Sequence, residues 1–193
     1  MAHAEQKTQG DGGRFVGTTW QDLLDLETVE VPEYLRVKSN PYMGDDDLSV
    51  DRYISPAFFN EEKEKLWPKT WQMTCREEDI PESGDHFVYW IIDRSVIVTR
   101  TPSGEIKGFI NSCRHRGRCL RDESGSVDKF RCPFHGATWD LDGQFKGIPN
   151  DWDFEHIVDR DMSLPQVKVA TWGGFVFINF DLDCQPLEEY LDI

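Results

Sequence analysis

From residue 86 onward the chain sets short apolar runs between turn-forming residues, a texture that predicts strands. Residues 86–92 and 95–100 are rich in Val, Ile and aromatics and are separated by Asp93-Arg94. Ser103-Gly104 turns the chain into a further run at 106–111. Residues 137–140 and 144–146 flank Asp142-Gly143, and 166–171 and 175–180 flank Gly173-Gly174, a hairpin signature. So many short strands at close spacing predict a mainly β protein, an antiparallel sandwich or barrel.

The pattern ahead of the strands is different. Residues 1–13 are small and polar and read as a disordered arm. A short apolar-periodic stretch follows around Trp20, Leu23, Leu24 and Leu26, then an irregular run with Pro32, Pro41 and the acidic cluster Asp45, Asp46 and Asp47, read as a solvated turn. Ser55 is placed to cap a helix whose first position is Pro56, where the missing N–H costs nothing. Phe59 and Leu66 lie on one face of it, and Pro68 ends the run. The last residues, 186–193, look like the first turns of another helix, cut off within the pattern, as in a fragment. The expected organisation is an arm and irregular segment over 1–50, a strand-rich domain with its leading helix over 51–185, and the start of a linker or helix over 186–193.

Composition narrows the function classes. A chain of 193 residues can bury a core without disulfide staples. The seven Trp point to a folded chain, with those at 67, 71, 90 and 172 expected in the core. A net charge of -15 argues against nucleic acid or an anionic membrane as a partner. No apolar run approaches the roughly 18 residues of a membrane span. The start lacks a signal-peptide core, and five cysteines, an odd number, do not make a secreted disulfide framework. A cytoplasmic protein is expected.

The chemistry lies in two segments, Cys113-Arg114-His115-Arg116-Gly117 and Cys132-Pro133-Phe134-His135-Gly136. Each supplies one thiolate and one imidazole from a tight loop that leaves a strand, and a Gly follows each His closely. Gly lets a backbone curl around an inorganic cluster and turn N–H groups toward it. Soft thiolates with imidazoles suit zinc or iron–sulfur clusters. A zinc finger usually takes two Cys from one limb and two His from the other. Here each limb carries one of each, which suits a two-iron cluster whose cysteines hold one iron and whose histidines hold the other. Between Cys113 and His135 six basic residues face three acidic ones. Either this is a solvated loop, or Arg114, Arg116 or Arg118 stabilises the reduced cluster or meets a carboxylate of another protein. Cys119 has no His at matching spacing and reads as a small buried side chain.

With CRHRG and CPFHG on a strand-rich background, residues 32–183 resemble the Rieske domain of the large (α) subunit of aromatic-ring-hydroxylating oxygenases. The run ISPAFFNEEKEKLWPKTW resembles the helix before that fold, FINSCRHRGRCL its first cluster loop and WGGFVFINFD its closing hairpin. The resemblance implies a Rieske-type β-sandwich with cluster-binding loops at one end, and a [2Fe-2S] cluster held by Cys113, His115, Cys132 and His135. It implies a reductase or ferredoxin as electron donor, and a mononuclear Fe(II) that activates O2 on an aromatic substrate, in a C-terminal domain absent from these residues. It also favours a homo-oligomer, a trimer of α subunits with or without a β subunit. Where the family often has an aromatic after His-Gly, this chain has Ala137; Trp139 is a candidate to shield the cluster.

The family's oxygen-activating site needs two His and a carboxylate. Asp153 and His156 make half of that pattern, but Arg160 and Asp161 stand where the second His is needed. Asp151, Asp153, Glu155 and Asp159 read as a solvated acidic loop, and no catalytic residue is assigned. A free-standing ferredoxin-type carrier and a zinc-stabilised module are the alternatives.

Overall fold

The structure is a computed structural model that describes residues 17–36, 47–158 and 160–192. The polar arm, Asp45, Asp46 and Asp159 lie outside the described residues, and Asp47 is exposed. The chain divides into two units, one ending at Ile54 and the other beginning at Ser55. In the first, α1 (Trp20–Leu24) opens with a capping box: the Thr19 hydroxyl accepts from the Asp22 N–H at 3.1 Å, and the Asp22 carboxylate accepts from the Thr19 N–H at 2.8 Å. A single turn, α2 (Asp51–Ile54), closes that unit.

The second unit starts with α3 (Pro56–Lys65), capped by the Ser55 side chain as its sequence requires. The expected apolar face stays open: Phe59 and Leu66 are exposed and no residue of α3 is buried. Three and four positions after Phe59 stand Glu62 and Lys63, so the apolar stripe is too thin to seat in a core. Ten strands follow: β1 (Gln72–Arg76), β2 (Asp85–Ile91), β3 (Arg94–Arg100), β4 (Ile106–Ile110), β5 (Gly125–Ser126), β6 (Phe130–Arg131), β7 (Thr138–Trp139), β8 (Phe145–Gly147), then, after α4 (Glu155–Val158), β9 (Gln166–Trp172) and β10 (Phe175–Asn179). The described chain closes with α5 (Leu187–Leu191).

The expected mainly β, antiparallel architecture is what forms. One sheet has seven strands in the order β1-β10-β9-β4-β3-β2-β5, and a second has β6-β7-β8. Strand β3, between β4 and β2, is buried on both faces, so its period of two divides two cores. Ile97 packs with Phe109, Trp139, Cys113 and Cys132; Val96 and Val98 pack with Ile80, Val176 and Ile178. The first of these cores supports both metal-candidate loops.

Two local expectations change. The β2–β3 turn is Ile92-Asp93, not Asp93-Arg94, because Ile91 pairs with Arg94. The register that sets Val88 against Ile97 decides the matter and leaves Ile92 at φ +54°, where β-branched residues are rarely found. Trp71 is buried, but Trp90 and Trp172 are 56% and 47% exposed, since each sits at the end of its strand beyond the reach of the core.

Candidate metal centre

The two candidate loops are the same turn built twice. In the first, the Cys113 N–H donates to the Arg118 carbonyl (2.8 Å) and the Gly117 N–H to the Cys113 carbonyl (2.8 Å). In the second, the Cys132 N–H donates to the Ala137 carbonyl (2.8 Å) and the Gly136 N–H to the Cys132 carbonyl (3.1 Å). Gly117 and Gly136 have φ of +71° and +76°, which lets each loop close on its own cysteine. Those glycine N–H groups are therefore spent in closing the loops. The His takes the third place in one loop and the fourth in the other.

The four side chains meet in like pairs. Cys113 and Cys132 are both buried, with no disulfide, and their thiols adjoin. Burial, with the adjacent Cys132 thiol adding to it, raises the Cys113 thiol above its ordinary range. Such a thiol gives up its proton when a metal takes its place. The imidazoles of His115 and His135 are half-buried, and their Nδ1 atoms lie 3.2 Å apart. With metal–nitrogen bonds of about 2.0–2.1 Å, two nitrogens on one tetrahedral metal lie about 3.4 Å apart. Desolvation, with His135, Arg116 and His156 nearby, lowers the pKa of His115 and so favours its neutral, lone-pair-bearing form. Among the described residues no three His, Cys, Asp or Glu side chains gather as a single-ion site.

Residues 70–159, which include both loops, match the family described as Rieske [2Fe-2S] domain. The chain carries a Rieske domain. Its relatives include oxygenase α subunits. The chain is 33% identical over 141 residues to biphenyl 2,3-dioxygenase subunit alpha of Rhodococcus jostii (strain RHA1), covering 72% of this chain and 31% of that protein. It is 32% identical over 129 residues to the chloroplastic choline monooxygenase of Beta vulgaris, covering 67% of this chain and 29% of that protein. Among solved structures, naphthalene 1,2-dioxygenase from Rhodococcus sp. bound to indole superposes with a TM-score of 0.66 at 35% identity, over 71% of this chain and 32% of that one. The chain thus spans under a third of the length of these curated relatives.

The Rieske cofactor is a [2Fe-2S] cluster, and the paired thiols and paired imidazoles fit its mixed donor set. Around the two imidazoles the structure places three further rings. Phe134 stacks on His135 (centroids 3.7 Å apart), Phe154 meets His115 edge-on at 5.3 Å, and the His156 ring lies 5.8 Å from that of His115. The segment read as a solvated acidic loop does expose Asp151, Asp153 and Glu155. Yet it also buries Ile157 in the loop-supporting core and lays Phe154 and His156 beside the histidine pair, so it is a cover as well as a loop. Trp139, fully buried, donates through Nε1 to the Met162 carbonyl at 2.6 Å and backs the loops from within. Cys119 is half-buried, and its thiol donates to the Arg121 carbonyl at 3.1 Å.

Proposed function

We propose that Cys113 and Cys132 hold one iron of the cluster, and that His115 and His135 hold the other through Nδ1. The observation that carries this is the twinned loop, which brings two buried thiols together and sets two Nδ1 atoms 3.2 Å apart. When bound, the cluster supplies one-electron chemistry at a potential that imidazole ligation places roughly between -150 and +300 mV. The protein's own part is to orient the ligands. The thiols lie in the core, out of water. The imidazoles stand at the half-buried rim, each keeping its second ring nitrogen protonated under cover of Phe134, Phe154 and His156.

In the whole protein, on this reading, single electrons pass from a reductase or ferredoxin through this domain to a mononuclear iron that activates O2 for hydroxylation of an aromatic substrate. Subunits are arranged as trimers in the cytoplasm. The names of the dioxygenase relatives support that reading. Among the described residues no helix is long and apolar enough to cross a membrane.

The test is iron and acid-labile sulfide analysis of anaerobically purified chain, with paramagnetic resonance after dithionite. About two irons and two sulfides per chain, and a reduced-state signal lost in Cys113→Ser and Cys132→Ser, are expected. Metal without sulfide rejects the assignment.

A further inference from the structure

Two polar side chains in the core of the β-unit belong to no part of the cluster site. His86, on β2, is 2% exposed, and Asn111, just past β4, is 4% exposed. Both hold Arg121, which ends the first cluster loop. The Asn111 side chain accepts from the N–H groups of Leu120 and Arg121, each at 3.0 Å, and donates to the Arg121 carbonyl at 2.6 Å. That clasp ties the two feet of the loop that carries Cys113 and His115.

The Arg121 side chain then reaches across to β2, where its Nε–H donates to His86 Nε2 at 3.1 Å. A guanidinium has only donors, so the imidazole nitrogen facing it must be bare. The ring proton therefore sits on Nδ1, 3.4 Å from the Gly84 carbonyl, and the ring is neutral. The other side of the same imidazole serves the second loop. It meets the ring of Phe130 edge-on, with centroids 5.8 Å apart. Phe130 is fully buried, pairs with Trp139 across β6–β7, and stands two residues before Cys132. The backbone of His86 is itself paired on both sides, to Thr99 of β3 and to Gly125 of β5. The ring thus rests on a fixed strand and touches the root of each loop.

We infer that His86 is a positioning residue for the cluster: its neutral imidazole anchors the first loop through Arg121 and backs the second through Phe130, fixing the separation of the two cysteines. The inference rests on the ligand assignment proposed above. Without the acceptor on His86, Arg121 is left with an unpaired donor beside the core, and the first loop loses its side-chain tie to β2.

The experiment follows loss of the cluster's visible absorbance to an excess of ferrous-iron chelator in the 193-residue chain, with far-UV dichroism recorded in parallel. His86→Phe keeps a ring against Phe130 but removes the acceptor, and is expected to release the cluster about tenfold faster, as for a buried charged hydrogen bond broken on one side. His86→Gln places an amide oxygen near the position of Nε2 and is expected to stay within about threefold of the unaltered chain. Arg121→Met is expected to match His86→Phe, with the double variant no faster than either single. Equal half-lives for His86→Phe and the unaltered chain overturn the inference, as do equally fast Phe and Gln variants. If His86→Phe does not fold, Arg121→Met decides alone, and a normal half-life there overturns it. An unaltered chain that lacks labile sulfide rejects the cluster assignment first and takes this inference with it.

Discussion

If His115 and His135 ligate the cluster as proposed, the residue type matters because a neutral imidazole replaces a charged thiolate. His115→Cys or His135→Cys is therefore expected to lower the cluster's midpoint potential if the cluster still assembles, and an unchanged potential in an intact cluster contradicts the assignment. Oxidised iron acidifies the remaining imidazole N–H more than reduced iron does, so the midpoint should fall as pH rises through the oxidised-state pKa. A midpoint flat across alkaline pH counts against these ligands. His86 offers a second titration. Desolvation lowers its pKa, with Arg121 pushing the same way and the Gly84 and Glu123 carbonyls and the Asp85 carboxylate opposing. The unfolded chain takes up a proton near the ordinary pKa of about 6.5 while the folded chain does not. The stability tied to neutral His86 is thus fully present above about pH 6.5 and is lost as pH falls below it. Urea midpoints of His86→Gln should decline less steeply than those of the unaltered chain over that interval.

At the level of elements, the paired loops set the tolerance of their glycines. Gly117 has open space around an added Cβ, with only the Ser112 hydroxyl at 3.8 Å, so Gly117→Ala carries the left-handed backbone cost alone, about 1–2 kcal/mol. At Gly136 the added carbon also meets Pro149 at 3.0 Å and Arg131 at 3.2 Å. Gly136→Ala is therefore expected to be the more destabilising of the two in chemical denaturation. The chain's glycines marked these loops in advance, as Gly173-Gly174 marked the β9–β10 turn, where both residues have positive φ. Ser55 and Pro56 likewise announced α3. What local sequence did not announce was Ile92 in a turn: nothing in its own chemistry favours that place, and only pairing across β2 and β3 puts it there.

Across the whole molecule, charge is uneven. The chain carries -15, yet Arg114, Arg116, Arg118, Lys129 and Arg131 cluster in and around the two loops and are exposed, with Arg118 paired to Asp122 at 3.3 Å. On the proposed reading, a local positive field in an acidic chain would steer an acidic electron donor toward the loops and repel it elsewhere. Reduction of the cluster by an acidic ferredoxin is expected to slow as ionic strength rises. Charge reversal at Lys129 and Arg131 should slow it further at low salt, with stopped-flow absorbance as the measure; rates independent of salt and of these charges reject a basic entry face.

The chemistry and the sequence positions that carry it were legible along the chain. Two Cys–His segments, each ending in Gly, specify a mixed sulfur and nitrogen donor set, and alternating short apolar runs specify antiparallel β structure. Those signals are local, because donor type, turn glycines and period-two burial are properties of neighbouring residues. The assembly around them is not. His86 and Arg121 are 35 positions apart, and His156 follows both loops, so their meeting at the cluster site depends on how the sheets are ordered and how the core closes. The sequence by itself determined which donor atoms are on offer; only the tertiary structure decided what holds, covers and spaces them, since those contacts form when distant strands pair.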